Sequence, residues 1–431
     1  MLPVRQHSVN VFEIAIALTC RHSSPPSIND LEASMSISRI GTMALIAATT
    51  LFATSAQAQG REVKIYGFGA KSGVVRIFGL NSEAAMKAAA DQINRAGGVT
   101  LGDGTKAKLV IEYLDDRCTA EEGINALRRI AAQPDAFVAV GPTCSNVAEP
   151  VFGILQKKVG DAGDTGLQFP VYTDVAAKGG LASMSQWAFR NVPSEAAMYK
   201  SLFDWIKATH PEVKTIWGGV EKDFAHSNAT FGVMKDLASK AGFEVKGQSE
   251  WLLADTTFST QVRELRRGEA DLVMISAHPF TTCGVLKEMQ RQGVKPKMMV
   301  GLTSSSSMET LQGCAAQAEG MLIPTSFAPV TADARKAAGA LQAAGASMDL
   351  HNAAAWENIY TLKELIEKAK IMAKPDTIQA DRQKIREALA NAKETSGLLG
   401  KVGRTDDREA VKPFLFVKAT KGEWAVAHKP N

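Results

Sequence analysis

The sequence predicts an α/β protein made of two doubly wound lobes with a ligand cleft between them. Three observations carry that expectation. Short apolar runs alternate with amphipathic stretches of helical length, the alternation breaks near residues 191–194, and it then restarts with similar spacing. Repeated strand–helix units build a parallel sheet covered on both faces. No short-period repeat or long low-complexity tract interrupts the pattern after residue 60.

In chain order, residues 63–68 read as a strand and 83–96 as a helix stopped by Gly97-Gly98. Residues 108–114 are a strand, 120–132 a helix, 136–140 a strand, 146–158 a helix and 167–172 a strand. Pro193 disfavours helix continuation and marks a crossing. The second set runs helix 195–209, strand 213–219, helix 227–241, strand 243–251, helix 259–267, strand 272–276, helix 282–292 and strand 297–300. A crossover-like stretch at 321–329 leads to helices at 332–344, 354–370 and 377–391. Short strands follow around Val402, 414–418 and 424–427, with turns at Asp406-Asp407 and Lys421-Gly422.

The N-terminal region carries an export signal. Arg39 precedes an apolar run, 40–52, and small residues end in Ala56-Gln57-Ala58, the charge, core and A-x-A order of a cleaved leader. Residues 35–58 are therefore read as a signal peptide, Met35 as the true start and 1–34 as an upstream extension. N-terminal sequencing of the exported protein tests this, with a start near Gln59 expected. Leu18-Thr19 before Cys20 makes a poor lipidation site. No later stretch reaches the roughly 18 apolar residues of a membrane span, so the mature chain is expected in the periplasm.

Composition is that of a globular protein, 45% hydrophobic and 22% charged, with a net charge of +4. No Lys/Arg stripe suggests nucleic acid. Export makes disulfides permissible. Without Cys20 four cysteines remain, Cys118, Cys144, Cys283 and Cys314, with three possible pairings. Cys118–Cys144 and Cys283–Cys314 are the local choice, each joining neighbouring strand–helix units. The chain lacks G-x-S-x-G, H-E-x-x-H and phosphate-loop patterns, and Gly67-Phe68-Gly69 with Gly73 misses the dinucleotide spacing. Its seven histidines are scattered. These features argue against an enzyme, a metal centre or a bound cofactor.

Open α/β sheets bind ligands beyond the carboxyl ends of their strands, near helix N-termini. Three such segments stand out: Gly67 to Gly79, Val140-Gly141-Pro142-Thr143-Cys144-Ser145, and Phe169-Pro170-Val171-Tyr172-Thr173. Together with DQINRAGG at 91–98 and LDDRC at 114–118, they give the chain a resemblance to the leucine/isoleucine/valine-binding protein family, periplasmic substrate-binding components of ABC importers. The likeness runs from about 61 to 427 and is strongest at 63–190.

The resemblance implies two lobes of the type I periplasmic binding fold on a three-crossover hinge, 61–192 with 328–400 and 193–322 with 401–431. It supports the Cys118–Cys144 bridge directly. It implies that Ser145 and Thr173 hold a ligand carboxylate. For Ser145, the hydroxyl and nearby amides at a helix N-terminus form an anion site on their own chemistry; its plainer role is an N-cap, and that of Thr173 a strand-end turn residue. Val171 lies on the same segment. Phe78 falls where the family often has a tyrosine lining the cleft, flanked by Lys71 and Arg76. In the second lobe His226 and His278 align with ring-bearing positions, and Phe280 and Thr303 are further candidates.

One departure matters. Amino-acid binders of the family place an acidic residue after the strand matching 297–300, where it pairs with the ligand ammonium. Here Gly301 to Ser307 carry none. An enclosed ammonium without a counter-charge is costly, so the expected ligand is an aromatic or branched carboxylate without a free α-amine, unless Asp174, Asp223 or Glu221 substitutes. The expected partners are a membrane permease and its ATPase, with the chain acting as a monomer by hinge closure. The competing reading is a ligand-binding subunit that signals to a separate sensor. Permease and ATPase genes beside this one favour transport; a kinase gene favours signalling.

Overall fold

The computed structural model describes residues 60–430. The expected leader, the stretch before it and Cys20 lie outside the described residues.

The first sheet is built on β1 (Arg61–Gly69), buried almost continuously as a strand covered on both faces must be. Alternation sorts its side chains: Val63 and Ile65 enter one core cluster, Tyr66 and Phe68 the other. Helix α1 (Arg76–Arg95), β2 (Val99–Thr100), β3 (Lys106–Asp115), α2 (Ala120–Ala131), β4 (Ala139–Val140), α3 (Ser145–Gly153), β5 (Val171–Thr173) and β6 (Ala188–Arg190) complete the unit. The strand order is β2-β3-β1-β4-β5-β6, parallel except at the β2–β3 edge.

Helix α1 begins earlier than its sequence pattern suggests. A Cβ on Gly79 would lie 2.2 Å from the Ala70 carbonyl oxygen. The glycine that reads as a loop residue lets the first helical turn press against the end of β1, and its N–H donates to Ala70 O at 3.1 Å. The helix stops where expected. Gly97 and Gly98 take φ values of 103° and 75°, which glycine alone adopts freely. Helix α3 ends short of residue 158 because the chain folds back: Gln156 N–H donates to Leu167 O at 3.1 Å and Leu167 N–H to Ile154 O at 2.9 Å. That return removes residue 167 from the expected strand.

The second unit runs α4 (Glu195–Thr209), β7 (Thr215–Glu221), α5 (Ala225–Lys240), β8 (Glu244–Trp251), α6 (Ser259–Gly268), β9 (Leu272–Ser276), α7 (Pro279–Arg291), β10 (Met298–Gly301), α8 (Met308–Ala318) and β11 (Leu322–Thr325). Strand β11 replaces the crossover-like stretch. Pro324 disguises it, since proline is disfavoured inside sheets; the parallel ladder to β10 is confined to Val300 and Leu322. The chain then returns to the first unit with α9 (Ala332–Ala343), α10 (Leu350–Lys368) and α11 (Ile378–Ala390), whose Leu341, Trp356, Ile359 and Ile385 share a core with Val63 and Ile65. Helix α10 starts a turn earlier than its periodicity suggests: Asp349 accepts from the N–H groups of His351 and Asn352, and its own N–H donates to Asn352 Oδ1 at 2.6 Å.

Strands β12 (Glu394–Gly397), β13 (Gly400–Arg404) and β14 (Ala410–Val411) form a small separate sheet. Strands β15 (Leu415–Thr420) and β16 (Glu423–His428) close the second sheet, ordered β16-β15-β11-β10-β9-β7-β8. Three crossings thus join two parallel-sheet lobes. The buried Glu357 gathers two of them: it pairs with Lys412, and accepts from Asn191 Nδ2 at 3.3 Å and Leu398 N–H at 2.7 Å.

Both local disulfides are present, with Cα–Cα distances of 5.7 Å for Cys118–Cys144 and 5.4 Å for Cys283–Cys314. The first ties the approach to α2 to that of α3; the second ties α7 to α8. Among the described residues no helix is long and apolar enough to cross a membrane.

Candidate ligand-binding site

The carboxyl ends of the strands in both sheets face one small, tightly closed-down cavity lined by both lobes. The first lobe supplies Thr143 and Ser145 before and at the start of α3, Val175 and Ala177 after β5, Phe78 from α1 and His351 from α10. The second supplies Phe224 and His226 at the start of α5, His278 before α7, and Ser304 after β10. Four aromatic contacts link these rings: Phe78 to His351 at 4.7 Å and to His278 at 5.8 Å, and His278 to Phe224 at 4.3 Å and to His226 at 5.8 Å between centroids. The cavity therefore has a π-rich lining drawn from both lobes.

Ser145 is the first residue of α3, and Cys144 holds the N-cap position. The plain capping role does not apply to it. Its Oγ accepts from Lys178 N–H at 3.2 Å, which leaves its own hydrogen available to an anion at the helix N-terminus. Thr143 accepts from Ala70 N–H at 3.2 Å, fixing the loop after β1 against the same corner. No lysine or arginine is among the residues that line the cavity.

Two buried carboxylates stand behind the second lobe's histidines. Glu195 Oε1 lies 2.9 Å from His226 Nε2, and Glu195 also accepts from Thr230 and Thr303. Glu221 Oε1 lies 2.6 Å from His278 Nδ1 and accepts from Thr281 Oγ1 at 2.7 Å. Burial opposes ionisation of both, yet the facing imidazole and hydroxyl donors outweigh it and hold both carboxyls below the ordinary glutamate range. Each imidazole thereby commits one nitrogen to its carboxylate. His226 Nδ1 and His278 Nε2 have no protein partner among the described residues, so they are free to meet a ligand's polar atoms. Ser304 Oγ is buried without a hydrogen-bond partner, and His351 Nδ1 faces the buried Asp349 carboxylate at 3.3 Å.

The remaining sequence candidates fall elsewhere. Thr173 is fully buried and donates to Pro142 O at 2.6 Å, so it props the Gly141-Pro142 turn, a cis peptide, from behind the wall. Val171 is sheet core, in register with Ala139 and Ala188. Lys71 pairs with Glu83 at 2.6 Å and lies over the Tyr113 ring. Arg76 is exposed and bonds Gly73 O at 3.3 Å. Thr303 reaches the site only through Glu195. Phe280 is 54% exposed and lines an outer groove.

Of the acids considered as substitutes, Glu221 is engaged by His278 and Asp223 accepts from Leu253 N–H at 2.9 Å. Asp174 is buried in the first lobe, where burial pushes its carboxyl up to about 6 and leaves Oδ2 unpartnered. Sequence reasoning missed Glu195, Phe224, Val175, Ala177, His351 and Ser304. Phe224 had a visible signal, an aromatic residue immediately before a helix that follows a strand; Glu195 had none, since it arrives from a crossing.

A family model described as periplasmic binding protein matches residues 62–423. A curated relative, Leu/Ile/Val-binding protein homolog 8 of Brucella abortus (strain 2308), is 25% identical over 253 residues, 55% of this chain. The match spans 57% of that relative's length. Among solved structures, the branched-chain amino acid transporter substrate binding protein LivJ from Streptococcus pneumoniae, in complex with isoleucine, superposes with a TM-score of 0.71 at 18% identity, covering 86% of this chain and 100% of LivJ. A solute binding protein of an ABC transporter from R. palustris, in complex with benzoate, gives 0.70 at 15% identity, covering 85% and 96%. At these identities the likeness is one of fold.

Proposed function

The chain belongs to the periplasmic binding protein family, and from that premise we propose that it is the extracytoplasmic solute-binding component of an ABC importer. It captures a small carboxylate-bearing molecule between its lobes and hands it to a membrane permease driven by an ATPase. It acts as a monomer in the periplasm, exported by the leader at 35–58. The lobes, 61–192 with 328–400 and 193–322 with 401–431, close about three crossings, and the ligand biases the closed state because it touches both.

One observation carries this reading: Ser145 and Phe78 of one lobe and Phe224, His226 and His278 of the other line the same cavity. The carboxylate is held by the Ser145 hydroxyl and the amides at the start of α3. The apolar body lies among the rings, and His226 and His278 meet its polar substituents. Glu195 and Glu221 are each engaged by an imidazole, so neither is free to neutralise an α-ammonium. That favours an aromatic acid over an amino acid. The R. palustris protein, whose structure holds benzoate, is a precedent for such a guest on this fold.

The test is a thermal-shift and calorimetric comparison of benzoate, a hydroxybenzoate and leucine. A ligand at 100 times its dissociation constant stabilises by about 2.7 kcal/mol. The aromatic acids are expected to raise the melting temperature and leucine to leave it unchanged. Micromolar binding of leucine with no response to aromatic acids overturns the ligand assignment.

A further inference from the structure

The cavity has a neighbour. An open groove of about 360 Å³ runs along the lobe interface and shares Phe78 and His278 with the cavity. The partition between the two spaces is thus one ring from each lobe, 5.8 Å apart between centroids. Val74 and Val75 form the groove's wall on the first lobe, Pro279 and Phe280 its wall on the second. Val74 and Phe280 are 53% and 54% exposed. Large apolar side chains left in water beside a binding cleft mark surface that a guest covers.

We propose that this groove is a second subsite that takes the apolar tail of the cleft's ligand, so that the guest is a chain-extended aryl- or alkyl-carboxylate and not a compact benzoate. The inference rests on the aromatic-acid reading above. The carboxylate sits at Ser145, the chain passes between Phe78 and His278, and the tail covers Val74 and Phe280. Lys287 and Glu309, which also line the groove, set a polar limit to the tail's length.

The experiment is calorimetric titration of the full chain with benzoate, phenylpropanoate and phenylpentanoate, repeated on a Val74→Ser, Phe280→Ser double variant. Each buried methylene strengthens binding by up to about fourfold, so affinity should rise at least about tenfold from benzoate to phenylpentanoate. In the double variant most of that gain should vanish while benzoate binding stays within about twofold. Both substituted positions are exposed, so folding is preserved, and a thermal melt checks it. Affinity that is flat or falls with chain length, or a gain that survives in the double variant, overturns the subsite and leaves the parent reading standing. Failure of every aromatic acid to bind overturns both.

Discussion

The backbone N–H of Ala225, the first residue of α5, donates to Oδ1 of Asn146, in the first turn of α3, at 2.7 Å. The two residues belong to different lobes. A side chain of one lobe therefore caps a helix of the other, beside Ser145 and His226. Removing a cap of this kind costs about 1 kcal/mol. Asn146→Ala should weaken ligand binding roughly fivefold with a nearly unchanged melting temperature of the unliganded chain. Titration of the variant checks this; unchanged affinity would separate the bond from closure.

Glu195 should govern stability on the acid side. Its carboxyl is held below the ordinary 4.5 in the folded chain, so the unfolded chain binds more protons at acid pH. The contribution is fully present above the unfolded value and is lost as pH falls toward the folded one. Glu195→Gln should flatten the acid limb of the stability curve. It should also destabilise at neutral pH by about 3 kcal/mol through the broken contacts with His226 and Thr303. Denaturant melts across pH test both.

Asp116 should act in the opposite sense. It is fully buried with Oδ2 unpartnered, and burial pushes its carboxyl up to about 7. The folded chain then holds a proton that the unfolded chain has released, so stability falls as pH rises from the ordinary 3.8 toward 7. Asp116→Asn keeps an acceptor for the Cys118 N–H and needs no proton. It should stabilise by on the order of 1 kcal/mol at pH 8 and change little near pH 4. A stability loss at the higher pH would show that the ionised form has a partner.

The two disulfides enclose separations of 26 and 31 residues. On the chain-entropy model each contributes about 3 kcal/mol. Replacing Cys283 and Cys314 together by alanine should lower the melting temperature while leaving benzoate affinity unaltered, because that bridge ties α7 to α8 outside the cavity, on the groove side where Cys283 lies. Replacing Cys118 and Cys144 should reduce both, since Cys144 lines the cavity.

Much of the fold was legible because its signals are local. Helix-length periodicity, the Gly97-Gly98 stop and the break at Pro193 each act within a few residues. The failures were equally local in cause: Gly79 and Pro324 are breakers by composition, and only a close neighbour or a short ladder makes them compatible with helix and strand. The candidate site was legible in part: Ser145, Phe78, His226 and His278, read from post-strand segments, line one cavity. Thr173 points back to Pro142, and the cavity takes Val175 and Ala177 from the same segment, a difference of strand-end geometry that residue types do not encode. Glu195 comes from the start of α4 to meet Thr303 and His226, a convergence that only tertiary packing creates.

The most direct measurement is the dissociation constant of the aromatic acid for the wild-type chain and for Ser145→Ala. Loss of the hydroxyl should weaken binding at least about tenfold, as expected for a hydrogen bond to a charged group, with an unchanged melting temperature of the unliganded chain. Equal affinity in the two proteins would contradict the claim that the ligand's carboxylate is anchored at Ser145.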